Sequence, residues 1–197
     1  MLQAFSLFTI PQARYGKIND VTPVRFRFSA SKALVALHYM VRECDGIDLH
    51  AGLKACYFAD KEHLNRYGRP IFGATYKAMK FGPVPLEIYE MAKGEALWLA
   101  ELQMDRFPWR LEGYRLRLAD NGHLDEDELS PSDWVCFHEG LAKSRGLDFN
   151  SRTAATHGAD WQAANLGIMK YEDMLEDTED KADRIVELQE TAPFVRM

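Results

Sequence analysis

The stretch SASKALVALHYMVREC, residues 29–44, constrains the fold more than any other part of the chain. Ala33, Leu34, Leu37, Tyr39, Met40 and Val41 make a helix that is apolar nearly all round, and such a helix has to be enclosed by other elements. Ser29 stands where an N-cap belongs, with a hydroxyl able to accept from the first free N–H groups. The rest of the chain must supply the enclosing shell, and it has the material: 47% of the 197 residues are hydrophobic and 12% aromatic. That composition excludes global disorder, and the length fits one domain.

A second helix is predicted from about Leu49 to Tyr67, started by Asp48 and stopped by Gly68 at its C-terminal end. Its stripe of Leu49, Leu53, Cys56, Tyr57, Leu64 and Tyr67 contains Asp60, with His63 near the same face. A carboxylate on an apolar seam needs partners, because burying it unpaired is costly or forces its protonation. Residues 69–85 read as a loop with a short extended segment, and a helix is expected from near Pro85 to Ala92, with a continuation or restart after Gly94. The alternation of Tyr114, Leu116 and Leu118 before Asp120–Asn121–Gly122 predicts a small hairpin turning at that DNG, with its second strand near His123–Leu124. Ser130, Pro131 and Asp133 form the clearest helix start, a capping box with proline at the first helical position, and Gly146 closes that helix. Short helices are expected around Thr156–His157 and Trp161, and one acidic surface helix over residues 171–190. The fold class expected is mainly α, a compact single-domain helical fold with a small β-hairpin. Residues 1–27 are expected to form an arm packed on a domain of residues 28–175, with residues 176–197 an acidic C-terminal helix and tail.

Function classes narrow by elimination. With 24 Lys+Arg against 30 Asp+Glu the net charge is −6, which provides no sequence-wide footprint for nucleic acid. Cys44, Cys56 and Cys136 are odd in number and unpatterned, which suits reduced thiols and a cytoplasmic location. The apolar N-terminus lacks a basic region before its hydrophobic run, so no signal peptide is expected, and no apolar run is long enough for a membrane span. No P-loop, GxSxG, HExxH or dinucleotide-type glycine pattern occurs.

Two features remain as carriers of function. Asp60, His63 and His157, with Asp160, could form a metal or acid/base site of a hydrolase if the fold brought them together; alternatively they are satisfied internal polar groups. The turn FGPVP, residues 81–85, could be a hinge, a phosphate loop, a docking corner or a plain connection. Its prolines lack the N–H groups of a phosphate cradle and argue against a free hinge. A stiff turn rimmed by Tyr76, Lys77, Lys80, Phe81 and Tyr89 would be a preorganised docking surface.

Three blocks, KALVALHYMV, LKACYFADKEHLNRYGRPIFGATYKAMKFGPVPLEIYE and ELSPSDWVCFHEGLAKSRG…THGADWQAA, resemble in order those of the SocA-like antitoxin family, the Panacea domain. The family's K-x-x-YFA-D-x-x-HL-x-x-YG-x-P-I-x-G pattern falls on Lys54, Tyr57, Phe58, Ala59, Asp60, His63, Leu64, Tyr67, Gly68, Pro70, Ile71 and Gly73. Its Y-x-A-x-K-x-GPVP-x-x-x-Y pattern falls on Tyr76, Ala78, Lys80, Gly82, Pro83, Val84, Pro85 and Tyr89. The later elements fall on Leu129, Ser130, Asp133, Thr156, His157 and Trp161. One departure is the small pair Ala55–Cys56, where the family has aliphatic residues. The resemblance implies a bacterial or prophage antitoxin, not an enzyme, without cofactor or metal. It would neutralise a cognate toxin by direct binding or, as a proteolytic adaptor, deliver the toxin to a Clp-type protease. Tyr57, Asp60, His63, Tyr67, Gly82, Pro83, Pro85, Thr156, His157 and Trp161 would be a structural motif network, with Tyr76, Lys77, Lys80, Phe81 and Tyr89 as candidates for the toxin contact. No helix-turn-helix is visible, and direct nucleic-acid binding is not expected.

Overall fold

The computed structural model describes residues 23–195 apart from 121, 123 and 124. In chain order it contains α1 (Ala30–Glu43), β1 (Ile47–Asp48), α2 (Leu49–Tyr67), β2 (Tyr76–Met79), β3 (Gly82–Pro85), α3 (Leu86–Lys93) and α4 (Ala96–Glu101). Then follow β4 (Trp109–Glu112), β5 (Arg115–Leu118), α5 (Pro131–Arg145), α6 (Phe149–Ala155), α7 (Ala159–Ala164), α8 (Tyr171–Met174) and α9 (Lys181–Thr191). The protein is mainly α-helical with small antiparallel sheets, as the periodicities predict.

The all-round apolar helix is enclosed: α1 buries Ala33 through His38, Met40 and Val41. The expected caps form as well. Ser29 accepts from Lys32 N, Asp48 from Ala51 N, and Gly68 takes the left-handed conformation at φ +70° that ends α2. The main packing axis is α2 against α5. At their crossing a Cβ on Gly140 would lie 2.7 Å from Ala55 O and 2.8 Å from Ala59 N, so the helices meet backbone to backbone. The small Ala55 belongs to that contact, and a bulkier side chain on α5 would force the helices apart.

The segment 69–85 is more regular than its loop-like sequence suggests. Strands β2 and β3 form a tight hairpin in the register Tyr76↔Pro85, Lys77↔Val84, Ala78↔Pro83 and Met79↔Gly82. Its outer edge is also paired, through Ala78 N–Gly167 O and Met169 N–Tyr76 O. Those bonds turn Tyr76 and Ala78 away from β3, so their partners Pro85 and Pro83 occupy positions where the ladder requires no N–H. Neither Lys80 nor Phe81 has a positive φ; the left-handed step falls on Gly82 at φ +92°.

Two expectations are corrected. Strand β5 does not pair across Asp120–Asn121–Gly122: it pairs with the preceding β4, Leu111↔Leu116, turning at Gly113–Tyr114, and on its other side with β1, Ile47↔Leu116. Gly113 supplies the positive φ of that turn, +60°, and Leu116 is fully buried between the two neighbours. The expected partner at His123–Leu124 lies outside the described residues. The acidic C-terminal segment is not one surface helix either. α8 and α9 are separated because Asn65 takes the Met174 carbonyl and the Glu176 N–H, while Tyr171, Met174 and Leu175 enter the core.

Residues 1–22 of the expected arm lie outside the described residues. Val24 is buried and donates to Glu172, and Phe26 packs edge to face on Tyr171. Among the described residues no helix is long and apolar enough to cross a membrane.

Candidate functional site

Helix α2 carries two rows of polar side chains inward, and its geometry sends each row to a different neighbour. One row holds Asp60 and His63. Asp60 is fully buried and receives three donors: Ile71 N at 2.8 Å, Phe72 N at 3.0 Å and the Tyr76 hydroxyl at 2.9 Å. It thus satisfies the backbone where the chain turns from α2 into the hairpin, which an apolar residue could not do. Burial outweighs those donors and raises its carboxyl to about 6.

A carboxyl raised in the folded state favours folding while protonated. Its contribution is complete below the ordinary value and is lost as the pH rises through about 6. Asp60→Asn keeps an acceptor for Ile71 and Phe72 but cannot ionise. The variant is therefore expected to gain on the wild type between pH 4 and pH 7.5, by about 3 kcal/mol at full extent. Urea melts of both proteins across that range check it; a constant difference would refute the assignment.

His63 faces Arg69 O at 2.7 Å with Nδ1, and Asp133 Oδ1 and Ser132 Oγ, both at 3.1 Å, with Nε2. Asp133 is the hub of this second cluster. Besides closing the capping box of α5, it receives Lys32 at 2.8 Å and Arg69 at 2.9 Å. Burial alone would raise its carboxyl, but the hydrogen bonds from His63 and Lys32 and the charges of Lys32 and Arg69 hold it well below the usual carboxylate range. One side chain ties together α1, α2, the loop at Arg69 and α5.

The other row of α2 supports the hairpin. Lys54 is 1% exposed, and its ammonium donates to Pro83 O. Burial first, and the nearby Arg152 second, lower its pKa to about 7. Gly82 leaves no room above it: a Cβ there would fall on Thr156 Oγ1 and lie 3.0 Å from Lys54 Cε. Thr156 itself back-bonds to Arg152 O at 3.1 Å. His50 holds the tip. Arg152 donates to its Nδ1 at 3.1 Å, and a guanidinium can only donate. Nδ1 is therefore the acceptor, and the Nε2–H donates to Phe81 O at 3.1 Å. Tyr57 and Lys61 bind Asp160, and Trp161 donates to Met79 O at 2.9 Å while stacking on His157 at 3.8 Å.

Asp60, His63 and His157 are thus not assembled into one site. The oxygens of Asp60 are occupied by donors, His63 serves Asp133 and Arg69, and His157 lies under the hairpin against Trp161. Among the described residues no group of three or more His, Cys, Asp or Glu side chains could hold a metal ion. Tyr67 is 51% exposed and touches His63 only through its ring, at 4.6 Å, so it stands outside the buried clusters. Tyr76, expected on a docking rim, is buried because the even positions of β2 face inward and its hydroxyl is bound to Asp60. Lys80 and Phe81 stand exposed at the tip, Lys77 is half-buried on β2, and Tyr89 lies on α3 with Lys93 over its ring at 5.3 Å. Sequence reasoning missed Lys54, Arg152 and His50 as the supports of the tip. It also saw Asp133 only as a cap, since nothing along the chain signals that Lys32 and Arg69 converge on it.

The polar interior thus fixes the hairpin backbone from beneath and leaves its tip exposed. Residues 53–162, more than half of the chain, match the family model described as "Antitoxin SocA-like, Panacea domain", and the chain belongs to that family. No curated protein matches the chain, and no solved structure does.

Proposed function

We propose that this protein neutralises a cognate toxin by binding it directly, without catalysis, and that the β2–β3 hairpin forms part of the contact. Membership in an antitoxin family supports a toxin partner in general. One observation carries the mode of action: the motif's titratable groups are engaged in holding the hairpin, while its tip stays exposed. Asp60, His63 and Lys54 each bond to backbone oxygen or nitrogen that fixes the segment 69–83. A surface ordered before it meets its partner loses little conformational entropy on docking, which favours tight binding from a small patch. Lys77, Lys80, Phe81 and Tyr89 are the side chains proposed to meet the toxin; Tyr76 acts from beneath by holding β2.

Co-expression with the product of the adjacent open reading frame tests the reading. That product should arrest growth alone and be silenced by this protein, with the two co-purifying and the toxin's abundance unchanged. A harmless neighbour, or one that stays lethal beside this protein, would sink the proposal. Rescue accompanied by protease-dependent loss of the toxin would instead mark a Clp-type adaptor.

A further inference from the structure

The surface beside the hairpin tip is aromatic and, within an acidic chain, locally cationic. Phe81 at the tip and Phe149 at the start of α6 remain 47% and 44% exposed, with ring centroids 5.2 Å apart, edge to face. His50 lies against Phe149 at 4.4 Å, and the Lys80 ammonium sits 5.3 Å from the centre of the Phe81 ring. Two aromatic rings from distant parts of the chain, meeting at the surface on a fixed backbone, are a preformed anchor site.

The charge beneath the rings selects the partner. Lys54 and Arg152 are buried, and among the described residues neither they nor Lys80 form an ion pair. Lys54 donates to Pro83 O, and Arg152 donates to Ser144 O, Leu147 O and His50. The carboxylates whose charges act on Arg152 are Asp48 and Asp148. Both already accept helix N–H groups, from Ala51 and Ser151 respectively. Three basic side chains, Lys54, Lys80 and Arg152, thus stand against these two carboxylates around an apolar surface, on a chain of net charge −6, and complementarity calls for a negative partner there.

We propose that Phe81, Phe149 and Lys80 form the docking surface for an acidic segment of the toxin that carries an apolar side chain, an inference that rests on the antitoxin reading above. The apolar side chain covers the two rings, and a neighbouring carboxylate meets Lys80 and the field of Arg152.

The test is titration of the full chain with the product of the adjacent open reading frame, at low and high salt, alongside melting temperatures. Phe81→Ser and Phe149→Ser are each expected to weaken binding about 30-fold. Lys80→Glu is expected to weaken it about tenfold and to flatten its salt dependence. All three side chains are exposed or half-exposed, so melting should hardly move; should the serine variants melt early, Lys80→Glu decides alone. Wild-type binding matched within twofold by the variants overturns this surface and leaves the antitoxin reading standing. A wild type that neither binds nor rescues removes both. If Phe81→Ser dissolves a dimer while toxin binding persists, the patch serves a second copy of this chain and the proposal is overturned.

Discussion

Asp133→Ala is expected to destabilise the protein by about 3–5 kcal/mol, the range for removing one partner of a buried charge cluster. The alanine would leave Lys32, with a side chain only 8% exposed, and Arg69 without their carboxylate, and it would strip the capping box from α5. Because Asp133 joins α1, α2 and α5, the loss should appear in the global unfolding free energy rather than as fraying of one helix. Urea denaturation followed by far-UV circular dichroism measures it; a loss under 1 kcal/mol would mean the cluster is not a structural hub. The pH dependence gives an independent check. A carboxyl held below its unfolded value contributes stability above that value and loses it as the pH falls through the folded one. The advantage of wild type over Asp133→Asn should thus be full at neutral pH and vanish only in strong acid. This is opposite in sign to the behaviour expected of Asp60.

Gly82→Ala is expected to cost about 3 kcal/mol, from two sources. A non-glycine residue at φ +92° is strained by about 1–2 kcal/mol. The new methyl must also displace Thr156 Oγ1 and Lys54, an overpacking penalty of about 1–3 kcal/mol. The sources separate in a double mutant. Thr156→Ala removes the hydroxyl in the way, so Gly82→Ala/Thr156→Ala should be more stable than the sum of the single effects predicts, with the backbone strain remaining. Strict additivity would show that the methyl finds other room. Where Thr156 is retained, the methyl displaces the tip from Lys54, so under the proposed function toxin silencing should suffer more than the melting temperature alone would suggest.

Much of this fold could be read along the chain because its causes are local. The all-round apolar Ala30–Glu43, the Asp48 and Gly68 ends of α2 and the Ser130 box of α5 are governed by period and capping, which act over a few residues. The pairing of β5 with β1 was not local in this sense. A strand's partner is chosen by a face that needs covering, and Leu116 found β1 as well as β4. The same limit divided the candidate site. Asp60 on an apolar seam announced that it required donors, but nothing in its neighbourhood named Ile71 and Phe72 as suppliers. Tyr76 looked like a docking residue by type, and the register of a four-residue strand turned it inward.

The sequence by itself determined a helical domain around one enclosed helix, the glycine and prolines that make a stiff corner of FGPVP, and the motif residues that place the chain in an antitoxin family. Only the tertiary structure decided what those residues do. It set Asp133 between Lys32 and Arg69, Lys54 under Gly82, and Phe81 against Phe149 from a distant part of the chain, of which the sequence carries no trace. The physical reason is range. Backbone preference and capping are settled within a turn or two of chain, whereas buried charge and exposed aromatic surface take their meaning from whatever the fold brings alongside.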